Sequence, residues 1–345
     1  MKKIIFLTYD YGKMGVGMFI KNLSAGLDPK KYKCYYVVSS GEDRRNKNVY
    51  PIKKSHINKI ENIIEEGDLI HICAHNYEHL KILWKAYKNK KKIICSYHTD
   101  FRDNTSLKKW IELFFKKILI LNFCEFVCDK NIFLTKKQKE DLERFIIFKK
   151  NDSYVIPNFI ENKNILLNKK IPTKKEVLFV GRYTKIKGFE DLMTVARKLK
   201  NIHFSLIGND YFKPKVVNVK NIGKIDNSKI FKQYDQHSIL LLPSYAETWG
   251  LVILEAMARG LVVIASDLPA ISEYFINNRN GYLVPPGDVE RMKERILYLK
   301  NNPGEIKRIS KNNLKDIWKF TAERQVPKYI KIYEEVLKKK NFKVL

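Results

Sequence analysis

Short apolar runs alternate with helical stretches along the whole of this sequence, and the alternation restricts the fold more than any other feature. Ile4 to Leu7 and Leu69 to Cys73 have the length of buried strands, and a similar run begins at Lys92. The alternation starts again at Val177. Strands that alternate with helices usually form parallel sheets. The sequence therefore predicts an α/β protein with two parallel sheets.

Length and composition fit a globular chain of two domains. The sequence has 345 residues, of which 45% are hydrophobic and 30% are charged. The formal net charge of +29 indicates an anionic partner, which is a nucleic acid, an anionic membrane or a phosphorylated small molecule. A genome biased toward lysine codons is the alternative explanation. The first apolar run is too short for a signal peptide, and no run is long enough for a spanning helix.

The cysteines predict buried thiols in a reducing cytosol. There are five of them, their neighbours are apolar, and no Cys-x-x-Cys pair occurs. Cys124 and Cys128 share a helix face but have no matching ligand pair in the sequence. His75 and His79 have a metal-compatible spacing but no evident third ligand, so no metal is predicted.

The segment from Pro243 to Gly260 combines two carboxylates with the start of a helix. It follows a strand-like run and is predicted to turn into a helix over Leu251 to Ala258. Glu247 precedes the helix, and Glu255 follows about two turns later on roughly the same side. Amides at a helix start favour an anion, and a carboxylate can accept from both hydroxyls of a ribose. The alternative is a surface helix that happens to carry two acids.

Basic and glycine-rich loops follow two other predicted strands. Arg182 and Lys187 come after the strand that begins at Val177, and together they suit a diphosphate. Basic surface residues unrelated to a site are the alternative. The loop around Gly15 and Gly17 lets backbone approach a phosphate, although it matches neither the dinucleotide fingerprint nor a P-loop.

Taken together, these segments resemble the retaining glycosyltransferases of family 4 (glycosyltransferase group 1), which have the GT-B fold. The resemblance is densest from 177 to 288, and Phe159 and Asn209 depart from the family pattern. It implies two Rossmann-like domains that face a central cleft. The expected domains are an acceptor-binding domain over 1–165, a nucleotide-sugar-binding domain over 172–320, and a helix over 321–345 that crosses back onto the N-terminal domain.

The resemblance also implies a role for each matching residue. Glu247 and His98 would hold the transferred sugar, while Arg182 and Lys187 would hold the diphosphate, and these four form the expected catalytic set. Glu255 would bind the ribose. The other expected donor-binding residues are Gly15, Gly17, Asn209, Lys224, Ile225, Thr248, Trp249, Gly250, Leu251 and Val252.

The implied reaction is retaining transfer of a hexosyl unit from a nucleotide diphosphate sugar, with UDP as the expected nucleotide, to an acceptor hydroxyl. The acceptor would be a glycan or a lipid-linked molecule in cell-surface glycan or glycolipid assembly. No cofactor is required, because cationic side chains and amides would stabilise the leaving group. Two alternatives remain open: a GT-B sugar-nucleotide epimerase and a basic nucleic-acid-binding protein. No nucleic-acid reading motif supports the second, so no nucleic acid is expected as a partner.

The stretch from Leu107 to Leu121 predicts a basic, aromatic helix. Trp110, Phe114 and Phe115 lie among lysines, which is typical of a helix at the surface of an anionic membrane. The alternative is a helix whose apolar stripe packs on the N-terminal sheet with its lysines in water, and both can hold together. We therefore expect a cytoplasmic protein that contacts the inner face of the cell membrane peripherally.

Overall fold

The computed structural model describes residues 1–12, 15–40, 46–75, 77–98, 107–147, 152–167 and 176–338. The chain divides into two compact units. The first unit contains Met1–Phe101, Thr105–Phe159 and Ala322–Leu345, and the second contains Arg102–Asn104 and Ile160–Thr321.

The first unit is built on a seven-stranded parallel sheet in the order β3-β2-β1-β4-β5-β6-β7. Its strands are β1 (Lys2–Thr8), β2 (Tyr32–Val38), β3 (Val49–Pro51), β4 (Leu69–Ile72), β5 (Lys92–Ser96), β6 (Lys130–Phe133) and β7 (Ser153–Val155). Its helices are α1 (Gly15–Ala25), α2 (Ile57–Glu66), α3 (Tyr77–Lys88), α4 (Leu107–Val127), α5 (Lys136–Glu143) and the last helix of the chain, α12 (Ala322–Lys338), with a 3-10 turn at Lys54–His56.

The second unit is built on a six-stranded parallel sheet in the order β10-β9-β8-β11-β12-β13. Its strands are β8 (Val177–Val180), β9 (Phe204–Ile207), β10 (Val219–Gly223), β11 (Ile239–Leu242), β12 (Val262–Ser266) and β13 (Gly281–Val284). Its helices are α6 (Phe189–Lys198), α7 (Asn227–Gln236), α8 (Leu251–Ala258), α9 (Pro269–Ser272), α10 (Val289–Asn301) and α11 (Pro303–Asp316), with 3-10 turns at Asn162–Asn164, Lys185–Lys187 and Ile317–Phe320.

Both sheets have the strand order of a doubly wound fold, in which the order reverses once. The reversal lies between β1 and β4 in the first sheet and between β8 and β11 in the second. Ligands of such sheets bind beyond the carboxyl ends of the strands at this reversal. In the second unit, the segments that carry Arg182 and Glu247 both begin at this place.

Helix α12 packs on the first unit, although the helices just before it belong to the second. Val326, Tyr329 and Tyr333 are buried with Phe19 in one apolar cluster. The Tyr333 hydroxyl lies 2.7 Å from Nδ1 of His71. Burial lowers the pKa of His71 to about 3, so its imidazole is neutral. The predicted return of the last helix to the N-terminal domain is confirmed.

Several predicted elements are confirmed, and two bounds differ. The helix over 251–258 and the helix over 322–338 form as expected. Helix α1 begins at Gly15, so Gly15 and Gly17 lie in the helix rather than in the loop predicted around them. Helix α4 continues to Val127, beyond the helix predicted over 107–121, and strand β6 follows from Lys130.

No helix within the described ranges is long and apolar enough to cross a membrane.

Candidate active site

The segment after β8 packs tightly against the segment after β11. Gly188 ends the 3-10 turn Lys185–Lys187 and begins α6 with a left-handed φ of +64°. A Cβ at Gly188 would lie 1.9 Å from the carbonyl oxygen of Pro243. Because only glycine fits both the φ angle and the space, this residue allows the two strand ends to approach each other.

Lys187 and Glu247 form an ion pair at the reversal in strand order. Lys187 Nζ lies 2.6 Å from Glu247 Oε1, and the Ser244 hydroxyl donates to the same oxygen over 2.9 Å. The side chains of Lys187 and Glu247 are 21% and 9% exposed, so the pair is largely shielded from water. Arg182, in contrast, is exposed. The sequence predicted all three charged residues for one site, but it gave no sign of this contact.

The turn before α8 is held from one side by an aromatic group. The rings of Trp249 and Tyr274 stack with centroids 4.3 Å apart, and the Tyr274 hydroxyl donates to the Trp249 carbonyl over 2.6 Å. Gly250 follows with a φ of +76° and begins the helix. The N–H groups of the first helical residues, Leu251 and Val252, have no intrahelical acceptor and are available to an anion.

Glu255 has a partner that differs from that of Glu247. The Tyr234 hydroxyl, from α7, donates to Glu255 Oε2 over 2.7 Å. Burial raises the pKa of Glu255 to about 7, and the bond from Tyr234 opposes that shift. The carboxylate therefore changes charge near neutral pH. Thr248 lies half-buried in the turn between the two acids.

The loops after β9 and β10 are tied together by side-chain amides. The Asn221 amide donates to the Asn209 carbonyl over 2.8 Å, while its oxygen accepts from the Tyr183 hydroxyl over 2.7 Å. The Lys224 N–H donates to the Asp210 carboxylate. Ile225, which follows, is half-buried. Three of the expected donor-binding residues, Asn209, Lys224 and Ile225, therefore belong to two segments that are cross-linked.

Two residues of the second unit were missed by sequence reasoning. Asn221 lies in a strand and Tyr234 in a helix, and each fits the ordinary pattern of its element. Their roles in the site depend on which loop or helix lies next to them, and no local motif signals that.

In the first unit, His98 lies just beyond the end of β5. Its ring centroid is 4.3 Å from that of Phe19, and its side chain is 8% exposed. Among the described residues, its Nε2 atom has no hydrogen-bond partner. Burial lowers the pKa of His98 to about 3, so a neutral imidazole is presented. Thr99 and Asp100 lie outside the described residues.

The glycine loop of the first unit leads directly into α1. Gly15 is the first residue of that helix, and Gly17 lies one position beyond Val16. A Cβ at Gly17 would lie 2.1 Å from Asp10 Oδ1, so a side chain at this position would displace the carboxylate. The close approach of β1 and α1 therefore explains Gly17 without any ligand.

The buried thiols form a cluster that the sequence did not predict. All five cysteines are free, as expected. His75, Cys95 and Cys124 bring their ligand atoms within 4.8 Å of one another, with His75 Nε2 3.0 Å from Cys95 Sγ. His79 Nε2 lies 3.3 Å from the Ser39 hydroxyl, and His79 is not a member of this cluster. Burial raises the pKa of Cys95, and the bond with Cys95 and burial raise that of Cys124, so both thiols are protonated at neutral pH.

Two doubly wound sheets, with charged groups beside the reversal of the second, are the features expected of the GT-B class of fold. Residues 161–316 match the family described as glycosyl transferases group 1. The predicted resemblance to this family is confirmed over that region, and the enzyme class that it implies is a glycosyltransferase.

Relatives differ in how much of their length this chain spans. An uncharacterised glycosyltransferase of Methanocaldococcus jannaschii is 29% identical over 79% of this chain and 87% of its own length. The O-antigen biosynthesis glycosyltransferase WclY of Escherichia coli is 24% identical over 97% and 99%. A protein from the cps region of Klebsiella pneumoniae is 31% identical, but the match covers 50% of this chain and 49% of that protein.

Solved structures share the fold over nearly the whole chain. Anabaena HepE in complex with UDP-glucose aligns with a TM-score of 0.79 and 14% identity, covering 97% of this chain and 100% of that one. A Staphylococcus aureus TarM variant in complex with UDP aligns with a TM-score of 0.78 and 14% identity, covering 98% and 100%. The predicted GT-B fold is thus confirmed.

Proposed function

We propose that this glycosyltransferase moves a hexosyl unit from a UDP-sugar to an acceptor hydroxyl with retention of configuration. The observation that carries the proposal is the Lys187–Glu247 pair at the reversal in strand order of the second sheet. A cation suits the diphosphate, and a carboxylate suits sugar hydroxyls. The HepE structure holds UDP-glucose and the TarM structure holds UDP, which supports uridine as the base.

The leaving group is UDP, and cationic side chains and backbone amides of the site stabilise its negative charge. The bond between the anomeric carbon and the β-phosphate oxygen breaks, while a bond from that carbon to the acceptor oxygen forms. The acceptor proton passes to the leaving phosphate. Lys187, Arg182 and the first amides of α8 stabilise the developing negative charge, which is electrostatic catalysis. Because the donor phosphates compete with Glu247 for Lys187, donor binding frees the carboxylate to hold the sugar.

The remaining residues bind the two ends of the donor. Glu255 accepts hydrogen bonds from the ribose hydroxyls, and the loops at Asn209 and Lys224–Ile225 flank the base. His98 contacts the transferred sugar through the unpartnered Nε2 atom, as a neutral hydrogen-bonding group rather than a cation. For Gly15, the first residue of α1, the proposed role is a backbone contact with a donor phosphate, whereas the approach to Asp10 accounts for Gly17.

A screen of nucleotide sugars tests the donor assignment. A ligand that binds only the folded state raises the melting temperature, so UDP-sugars should shift it more than GDP- or ADP-sugars. Product analysis by NMR then reports the anomeric configuration. Isomerisation of the donor without an acceptor would favour an epimerase. Salt-sensitive binding of nucleic acid, with no shift by any nucleotide sugar, would overturn the proposal.

We also propose that α4 contacts an anionic membrane, where a lipid-linked acceptor of a cell-surface glycan would lie. Phe115 and Leu119 are 60% and 70% exposed and lie one helical turn apart, and Lys116 follows Phe115 directly. The side chains of Trp110 and Phe114 lie outside the described residues.

Vesicle flotation tests this contact. Phe115→Ser and Leu119→Ser should each reduce flotation with anionic vesicles but not change the melting temperature, and Trp110 and Lys116 variants should act likewise. Leu167→Ser is the matched control, because Leu167 is 82% exposed in the second unit. Equal flotation of all these variants would contradict a contact through α4.

A further inference from the structure

One buried hydroxyl acts directly on the second glutamate of the site. Tyr234 is fully buried, and its hydroxyl donates to Glu255 Oε2 over 2.7 Å. Glu255 itself is half-buried, so part of the residue remains exposed. Tyr234 therefore approaches the carboxylate from the protein side and leaves the exposed side for a ligand.

The hydroxyl and the burial of the carboxylate act in opposite directions. Burial favours the protonated acid and is the larger effect at Glu255, while the bond from Tyr234 favours the ionised form. Loss of the hydroxyl would therefore keep Glu255 protonated to a higher pH. A protonated carboxyl has one oxygen occupied by its own proton and accepts hydrogen bonds less strongly.

Other charged groups close to this pair have partners of their own. Arg259, the residue that follows the end of α8, makes two hydrogen bonds to Asp235, with its Nε atom 2.7 Å from Oδ1. His237 Nδ1 lies 2.7 Å from the Gln233 carbonyl. Among the described residues, the ionisable neighbour that acts on the Glu255 carboxylate is thus Tyr234.

We propose that Tyr234 is a positioning residue for the donor: its hydroxyl holds the Glu255 carboxylate in the orientation that accepts hydrogen bonds from the two ribose hydroxyls of the nucleotide. The inference rests on the proposed function, because that function assigns the ribose to Glu255. Tyr234 itself does not touch the donor.

Binding of UDP-glucose measured by calorimetry across pH 6 to 8 tests the proposal. This ligand is suitable because its diphosphate is esterified at both ends and keeps a constant charge in that range. Wild-type affinity should rise about 10-fold from pH 6 to pH 8, as Glu255 ionises around pH 7. Tyr234→Phe should move this rise to higher pH and weaken binding at pH 7 by about 10-fold, the effect of one hydrogen bond to a charged group. Glu255→Gln should bind weakly at every pH.

Two comparisons separate positioning from a general structural effect. Tyr282→Phe is the matched control, because the buried Tyr282 hydroxyl donates to Glu305 over 2.9 Å elsewhere in the same unit, and it should bind like wild type. In a Glu255→Gln background, Tyr234→Phe should add no further loss of affinity if it acts through Glu255. That double variant remains decisive even if Tyr234→Phe lowers the melting temperature.

The outcomes distinguish this inference from the proposed function. If wild type binds UDP-glucose and Tyr234→Phe keeps the same affinity and pH profile, the positioning role is wrong and the proposed function stands. An additional loss in the Glu255→Gln background would also overturn the positioning role. If wild type binds none of the UDP-sugars, the proposed function fails, and the inference fails with it.

Discussion

Replacement of Gly188 by alanine should damage both the stability of the second unit and its site. The φ of +64° lies in the left-handed region, where a residue with a side chain costs about 1–3 kcal/mol. The new Cβ would also stand 1.9 Å from the Pro243 carbonyl oxygen. An ordinary contact begins at about 3.4 Å, so the two segments would have to separate by about 1.5 Å.

The magnitude follows from these two effects. For a unit of this size, each kcal/mol lowers the melting temperature by about 2–4 °C, so Gly188→Ala should lower it by several degrees. Lys187 precedes Gly188 directly, and its contact with Glu247 depends on the same approach of the two segments. A misplacement of about 1 Å in a site can lower the rate about 100-fold, so turnover should fall by a similar factor.

Differential scanning calorimetry and release of UDP in the presence of acceptor measure the two effects. Gly304→Ala is the matched control, because Gly304 lies in α11 with no atom within 4 Å of the added Cβ. Its melting temperature should stay unchanged or rise slightly. A wild-type melting temperature for Gly188→Ala would refute the packing argument. Lower stability with wild-type turnover would refute only the link between Gly188 and the ion pair.

Three further predictions concern the Lys187–Glu247 contact, the Tyr333–His71 contact and the thiols. Lys187→Ala should lower turnover by at least about 100-fold, and it should cost about 1–3 kcal/mol of stability because the shielded Glu247 loses its cation. Turnover near that of wild type in a steady-state assay would contradict this. Tyr333→Phe should cost about 1–3 kcal/mol in urea unfolding, because it leaves buried His71 Nδ1 without its partner, whereas the half-exposed Tyr298→Phe should change little. At pH 7 a thiol reagent should modify all five cysteines slowly in the native protein and rapidly after denaturation, because four are buried and burial raises the pKa of the fifth, Cys34, to about 11. A thiol that reacts in the native protein as fast as in the denatured protein would argue against this packing.

The membrane contact of α4 shows where sequence and structure each give part of an answer. The sequence indicated a basic, aromatic helix over 107–121, and α4 covers Leu107–Val127. The structure adds that Phe115 and Leu119 are exposed. The sequence alone could not decide whether these side chains pack on the sheet or face solvent. The contact itself stays a prediction.

The sequence by itself determined the class of the fold and the residue types of the site. Helical and strand periods are local properties, and so are the glycines and charged residues that follow each strand, which is why the α/β class and the family could be predicted. The tertiary structure alone decided which strand ends are neighbours. Lys187 meets Glu247 across sixty residues only because β8 lies beside β11. Tyr234 contacts Glu255, and His75 contacts Cys95, for the same reason. Strand order and helix packing bring these side chains together, and no local sequence pattern predicts either contact.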